Sequence, residues 1–153
     1  MELLSILFLV LEEKNMITIR GRVRFNETDT MGVVYHPNYL HWFEMARVEY
    51  LRACGVSLND LMDEGILFPI ADVQMHYMNS CKFDDEYEVQ VIMSAFNKAK
   101  MDFACKIYRV RDGALAVEGT CRNVFTDKNG RVIRLTPQWF EKINKVYKEE
   151  KVE

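Results

Sequence analysis

The stretch RVRFNETDTMGVVYHPNYLHWFEMARVEYLR, residues 22–52, changes its periodicity twice. Val23 and Phe25 alternate with Arg22 and Arg24. With Ile17, Thr18 and Ile19 just ahead, this is the period-two pattern of a strand ending near Asn26. Glu27 to His36 then holds Thr28, Asp29, Thr30 and Gly32, all loop-tolerant types. Pro37 stands where a helix can begin, because its fixed φ and missing N–H suit the first helical position. No further Pro or Gly occurs before Gly55, and apolar residues recur at Leu40, Phe43, Ala46, Tyr50, Leu51 and Cys54, a helical spacing. Tyr39, Trp42 and Met45 widen that stripe. Such a helix runs about 25 Å. Its first half is apolar around most of its circumference, so it belongs enclosed by other structure. Gly55 is placed to end it.

Outward from this stretch the pattern is mostly of strands. Ser57 with Asp60 makes a weak capping signal for a short helix up to Glu64, before Gly65. Val73, Met75 and Tyr77 alternate with polar neighbours, as do Tyr87, Val89, Val91 and Met93. Further runs cover Met101 to Val110 and Leu115 to Phe125, with the hairpin signal Asp112-Gly113 between them. Asn129-Gly130 marks another turn, and Thr136-Pro137 opens a C-terminal helix with Trp139, Phe140, Ile143 and Val146 on one face. Strands grouped after one long apolar helix indicate an α+β domain whose antiparallel sheet packs on that helix.

With 153 residues, 49% hydrophobic and 28% charged, the chain suits one packed domain. The 20 basic and 23 acidic residues give a net charge of -3, which leaves no broad positive field for a nucleic acid. Cys54, Cys81, Cys105 and Cys121 show neither a C-x-x-C pair nor zinc-ligand spacing. They read as free buried thiols of a reducing, cytoplasmic compartment. The apolar run Leu3 to Leu11 is like a signal-peptide core, but Glu2 replaces a basic lead, no small-residue cleavage site follows, and the run is far short of the roughly 20 residues that span a bilayer. Residues 1–15 are therefore expected to be an N-terminal extension, either an extra helix or a start placed ahead of Met16. The domain proper is expected over residues 16–150, without stable membrane insertion.

Taken alone, an Asp in a Thr/Gly loop before a helix reads as a turn or capping residue. The wider motif reverses that reading. Residues 22–52, with Met75-His76-Tyr77, Phe83-Asp84-Asp85 and the final strand, resemble the 4-hydroxybenzoyl-CoA thioesterase family, and within it the YbgC-like acyl-CoA thioesterases, over roughly Met16 to Phe140. The resemblance implies a hot-dog fold, a curved antiparallel β-sheet wrapped around a long central helix. It also implies homodimers or homotetramers with active sites at subunit interfaces. The implied reaction is hydrolysis of acyl-CoA, or of acyl-carrier-protein thioesters, with no metal and no cofactor, coenzyme A being part of the substrate. Asp29 falls on the family's catalytic Asp, with Tyr35 and His36 as catalytic neighbours and Gly32, Val33 and Asn38 toward the substrate.

Elementary chemistry agrees. Thioester hydrolysis needs a carboxylate that attacks the carbonyl or deprotonates water, and donors aimed at the developing oxyanion. Unpaired amides at the start of the helix, near Tyr35 or His36, can supply the second, while Pro37 cannot. The residues leave open whether Asp29 is nucleophile or general base. They also leave His36 as an alternative capping side chain, and His41 and His76 as packing or surface residues. Glu44 and Arg47, three apart on the helix, are placed to pair and to tie it to the sheet or a partner. Relatives often carry Pro-Ala where this chain has Ser80-Cys81, which puts the strand geometry there in question. Two other functions stay compatible with the fold: a non-catalytic acyl-thioester-binding or scaffold protein, and an acyl-thioester hydratase or dehydratase.

Overall fold

The computed structural model describes residues 16–149, so the expectation for residues 1–15 lies outside the described residues. Their elements follow in the order β1 (Ile17–Arg22), a 3-10 turn (Phe25–Glu27), α1 (Pro37–Ala53), α2 (Leu58–Asp63), β2 (Ile70–Tyr77), β3 (Glu86–Phe96), β4 (Lys100–Arg109), β5 (Ala114–Val124) and α3 (Pro137–Glu149). All strand pairs are antiparallel, and the order across the sheet is β1-β3-β4-β5-β2. This is the expected α+β arrangement, and it is the hot-dog fold. The hairpins β3–β4 and β4–β5 follow their turn signals, with Gly113 at a φ of 70°. Periodicity did not reveal that β2 crosses to the far edge and pairs with β5 instead of with β3.

One face of the sheet is a set of apolar rows. Val89, Ile107 and Val117 are in register, as are Val91 with Cys105, and Met93 with Phe103 and Cys121. All are buried. The other face carries Gln90, Lys106, Glu118 and His76 in one row. Register shifts at Met93/Ala95, Ile107/Tyr108 and Ile70/Asp72 add local bend and twist to the sheet.

Helix α1 lies on the apolar rows through Tyr39, Trp42, Phe43, Ala46, Tyr50 and Leu51, all buried. Trp42 stacks on Tyr87 of β3, with centroids 3.8 Å apart and planes 6° from parallel, and Tyr50 meets Phe103 edge-on at 5.6 Å. The helix stops where Gly55 takes a φ of +78° and its amide bonds Arg52 O at 3.0 Å. Enclosure is one-sided in the protomer, because the sheet covers a single face and leaves His41, Glu44 and Met45 exposed. Helix α3 buries Trp139 and Ile143, and its Phe140 stacks on Phe96 at 5.2 Å. Ser57 caps α2 by accepting from the Asp60 amide at 3.4 Å. Among the described residues no helix is long and apolar enough to cross a membrane. All four cysteines are buried and none forms a disulfide among the described residues.

Edge strand β2 can lie against β5 only because residue 119 has no side chain. A Cβ there would stand 2.3 Å from Met75 Sδ and 2.5 Å from the Gln74 carbonyl oxygen, which is backbone and cannot swing aside. Gly119→Ala is therefore expected to lower stability by roughly 1–3 kcal/mol. The measurement is the urea midpoint at unchanged slope. A midpoint equal to that of the native protein would show that β2 has room to move away.

Candidate active site

The loop between β1 and α1 is closed by its own backbone. Asp29 N donates to Val33 O at 2.9 Å, Gly32 N to Asp29 O at 3.0 Å, and Tyr35 N to Glu27 O at 2.8 Å. Asp29 Oδ1 accepts from Met31 N at 2.9 Å, an Asx turn that fixes the carboxylate in one direction. Gly32 takes a φ of +78°, and nothing stands within 4 Å of where its Cβ would be. A bound molecule can thus approach this backbone closely.

Glu27, the first residue of the loop, is the anchor. Its side chain is buried, with Oε1 accepting from Arg24 N at 2.8 Å and Oε2 from Trp42 Nε1 at 2.7 Å. Its backbone oxygen accepts from both Tyr35 N and Asn38 Nδ2, each at 2.8 Å. The amide nitrogen of Asn38, expected toward the substrate, is thus committed to holding the loop. No spacing rule marks a carboxylate that will be buried under a Trp fifteen positions on; its loop setting was the only signal.

The start of α1 is decided by Pro37 at the first helical position. Asn38 N bonds Tyr35 O at 2.9 Å and Tyr39 N bonds His36 O at 3.3 Å. With the Tyr35 amide committed to Glu27, the His36 N–H is left without a partner among the described residues. Of the two amides expected as oxyanion donors, Tyr35 N is paired and His36 N has no partner among the described residues. Its side chain makes no capping hydrogen bond. The ring instead stands between Tyr35, with centroids at 5.1 Å, and Tyr77 of β2, at 5.8 Å. Asp29, Gly32, Val33, Tyr35 and His36 therefore share one loop and helix entrance, walled by Tyr77. Among the described residues no group of three or more His, Cys, Asp or Glu side chains is placed to hold a metal ion.

Below the loop, Cys81 is fully buried and ties into the site through its backbone. Its amide donates to Tyr39 Oη at 3.1 Å and its oxygen accepts from Val34 N at 2.9 Å. Burial pushes its thiol up, away from nucleophilic use. The Ser80-Cys81 departure leaves the chain well held, since Arg109 Nη1 donates to Ser80 O at 2.5 Å. Burial raises the Tyr39 hydroxyl, and partial desolvation raises that of the half-exposed Tyr77, so both stay protonated. Arg47 does not pair with Glu44; it turns inward and donates to Asn123 Oδ1 on β5 at 2.6 Å, tying the helix to the sheet.

The sequence profile of the Thioesterase-like superfamily matches residues 23–144, which span the loop, the helix α1 and strands β2 to β5. The chain belongs to the thioesterase-like superfamily. Within this superfamily it is similar to a putative acyl-CoA thioesterase, YneP, of Bacillus subtilis, with 31% identity over 69% of this chain and 76% of that one. It is 37% identical to the acyl-CoA thioesterase YbgC of Haemophilus influenzae over 58% of this chain and 65% of that one. A solved DHNA-CoA thioesterase from Staphylococcus aureus superposes with a TM-score of 0.84 at 28% identity, covering 89% of this chain and 93% of that one.

Glu27 makes the hold on this loop testable. Burial by itself raises the Glu27 carboxyl, but the Arg24 amide, the Trp42 indole and the Arg24 guanidinium outweigh it and hold the group below the usual glutamate range. A lowered folded value means that the stabilisation is present above the ordinary glutamate range and is lost as pH falls through the folded value. Glu27→Gln turns one acceptor into a donor facing another donor, and should cost about 1–3 kcal/mol near neutral pH. Urea titrations at neutral and acid pH are expected to show the gap between variant and native protein narrowing as pH falls. A gap that does not change with pH would remove the charge from this account.

Proposed function

We propose that the protein hydrolyses acyl-CoA thioesters to the free acid and coenzyme A, with Asp29 as the carboxylate that drives the reaction. What supports this reading is that one loop carries both the Asp29 carboxylate, oriented by Met31 N, and, where it enters α1, the His36 amide, which has no partner among the described residues. Oδ1 is engaged by Met31 N, so Oδ2 is the oxygen left to act. It takes a proton from water as the water oxygen adds to the carbonyl, or it adds to the carbonyl itself and forms an anhydride that water then opens. In either route the carbonyl oxygen becomes negative, and the His36 N–H, at the positive end of α1, donates to it. The C–S bond then breaks and the thiolate leaves to be protonated. Gly32 and Val33 line the approach, and Tyr35, His36 and Tyr77 form an aromatic wall. No cofactor takes part, since coenzyme A enters as part of the substrate; acyl-carrier-protein thioesters are a second substrate class. The unbridged cysteines suit a cytoplasmic location.

The reading includes a homodimer, which can in turn pair into a tetramer. Strand β2 is a sheet edge whose residues, apart from Met75, are exposed along its full length, with Val73 and Tyr77 among the exposed apolar ones. A long edge of this kind pairs with another strand unless it is blocked. Met31 and Tyr35, in the Asp29 loop, are 78% and 51% exposed, which suits cover by a second copy. Antiparallel pairing of β2 with its copy about a two-fold axis brings the Tyr77 end of one strand to the Ile70 end of the other.

The test is thiol release from short, long and aromatic acyl-CoAs by the native protein and by Asp29→Asn. The variant is expected to keep KM within a few-fold and to lose about a hundredfold or more in kcat. Equal activity in the two proteins would take Asp29 out of the mechanism. Binding without thiol release by the native protein would favour a scaffold role.

A further inference from the structure

Between the second half of α1, the start of β2 and β4 lies a cavity of about 250 Å³, with Val48, Leu51, Leu58, Phe68, Met101 and Phe103 in its mostly apolar wall. Arg47 is set in the same wall and is 6% exposed. Its Nη1 donates to Asn123 Oδ1 at 2.6 Å and to Cys121 Sγ at 3.1 Å, and the guanidinium stands 5.2 Å from the Phe43 ring centre. Asn123 is locked as that acceptor, since its Nδ2 donates to Phe68 O at 2.7 Å. Burial raises the Cys121 thiol and keeps it neutral, although Arg47 pulls the other way. Nε of Arg47 is buried with no hydrogen-bond partner among the described residues. Among the described residues no carboxylate pairs with the guanidinium; Glu44 also lines the cavity, but it is exposed and stays out of ion-pair range.

An arginine stays charged when buried, and a buried charge without a counter-charge is costly. Apolar walls with one convergent polar group are the pattern of a small-molecule pocket. The missing partner is therefore an anion brought in by a ligand. A dry cavity of roughly 150 Å³ holds benzene, so this one takes a chain of about six carbons with a charged end.

We propose that this cavity receives the far end of the acyl group, and that Arg47 selects acyl thioesters ending in a carboxylate over alkyl chains of the same length. The inference rests on the acyl-CoA reading above and on the β2-to-β2 dimer. In that dimer the cavity lip at Ile70 of the partner subunit faces Tyr77 and the Asp29 loop, so the acyl group cleaved at one protomer extends into the other. Arg47 is then a specificity-determining residue, and its loss changes which substrate is preferred.

The experiment compares adipyl-CoA with hexanoyl-CoA, equal in carbon count and different in the terminal carboxylate. The native protein is expected to favour adipyl-CoA by about tenfold or more in kcat/KM, the scale of one charge-assisted hydrogen bond. Arg47→Met should bring that ratio to about one. Because Arg47 also ties helix to sheet, Leu58→Trp fills the cavity without touching the guanidinium, and should lower the ratio of hexanoyl-CoA to acetyl-CoA hydrolysis about tenfold. A native ratio of one, a ratio that survives Arg47→Met, or chain-length preference unchanged in Leu58→Trp overturns the proposal. Calorimetry on Asp29→Asn with the same two six-carbon thioesters reads the cavity without turnover. Failure of the native protein to release thiol would then condemn the hydrolase reading alone, while equal affinities would condemn the cavity.

Discussion

A buried carboxylate in a small domain must be fully hydrogen-bonded or it destabilises the fold, and Glu27 meets that condition by joining three parts of the protein. Its side chain accepts hydrogen bonds from the Arg24 amide, just past the end of the first strand, and from the Trp42 indole, on the central helix. Trp42 in turn stacks on Tyr87 of β3. The Glu27 backbone oxygen takes Tyr35 N and Asn38 Nδ2, from the far side of the loop. Strand, helix, sheet and loop are thus fixed relative to one another through one residue, and Asp29, two positions on, is oriented by them.

From this constraint the character of the site follows. Committing the Tyr35 amide to Glu27 leaves the neighbouring His36 amide as the unpaired donor at the helix entrance, where the positive end of the helix also acts. Pro37 adds no competing N–H. A protomer alone does not close the site: Met31, Tyr35 and Tyr77 are exposed around it, and the β2 edge beside it is unpaired among the described residues. This open edge is the feature on which the proposed dimer rests.

Much of this was legible in the sequence because local rules coincide with the tertiary outcome. The run from Pro37 to Gly55 obeys helical spacing, start and stop signals at once, and the helix formed over Pro37–Ala53. Alternation found β3, β4 and β5 within a few residues, since each buries alternate side chains under α1. Alternation could not say which edge β2 would join, because pairing depends on the missing side chain at Gly119. The loop around Asp29 was legible through its motif, whereas Glu27 was not, since its burial depends on contacts far apart in the chain. The i,i+3 rule paired Arg47 with Glu44 on a helix considered alone. In the folded chain the sheet offers Asn123 as a better-placed acceptor in a drier setting, and the guanidinium goes there.

The central claim is that one thioester carbonyl sits between the Asp29 carboxylate and the His36 amide. A crystal structure of Asp29→Asn with an unhydrolysed acyl-CoA bound tests it most directly. The account predicts the carbonyl oxygen about 3 Å from His36 N, with the side chain at position 29 facing the carbonyl carbon or a water beside it. A thioester held with its carbonyl turned away from the start of α1 would contradict it.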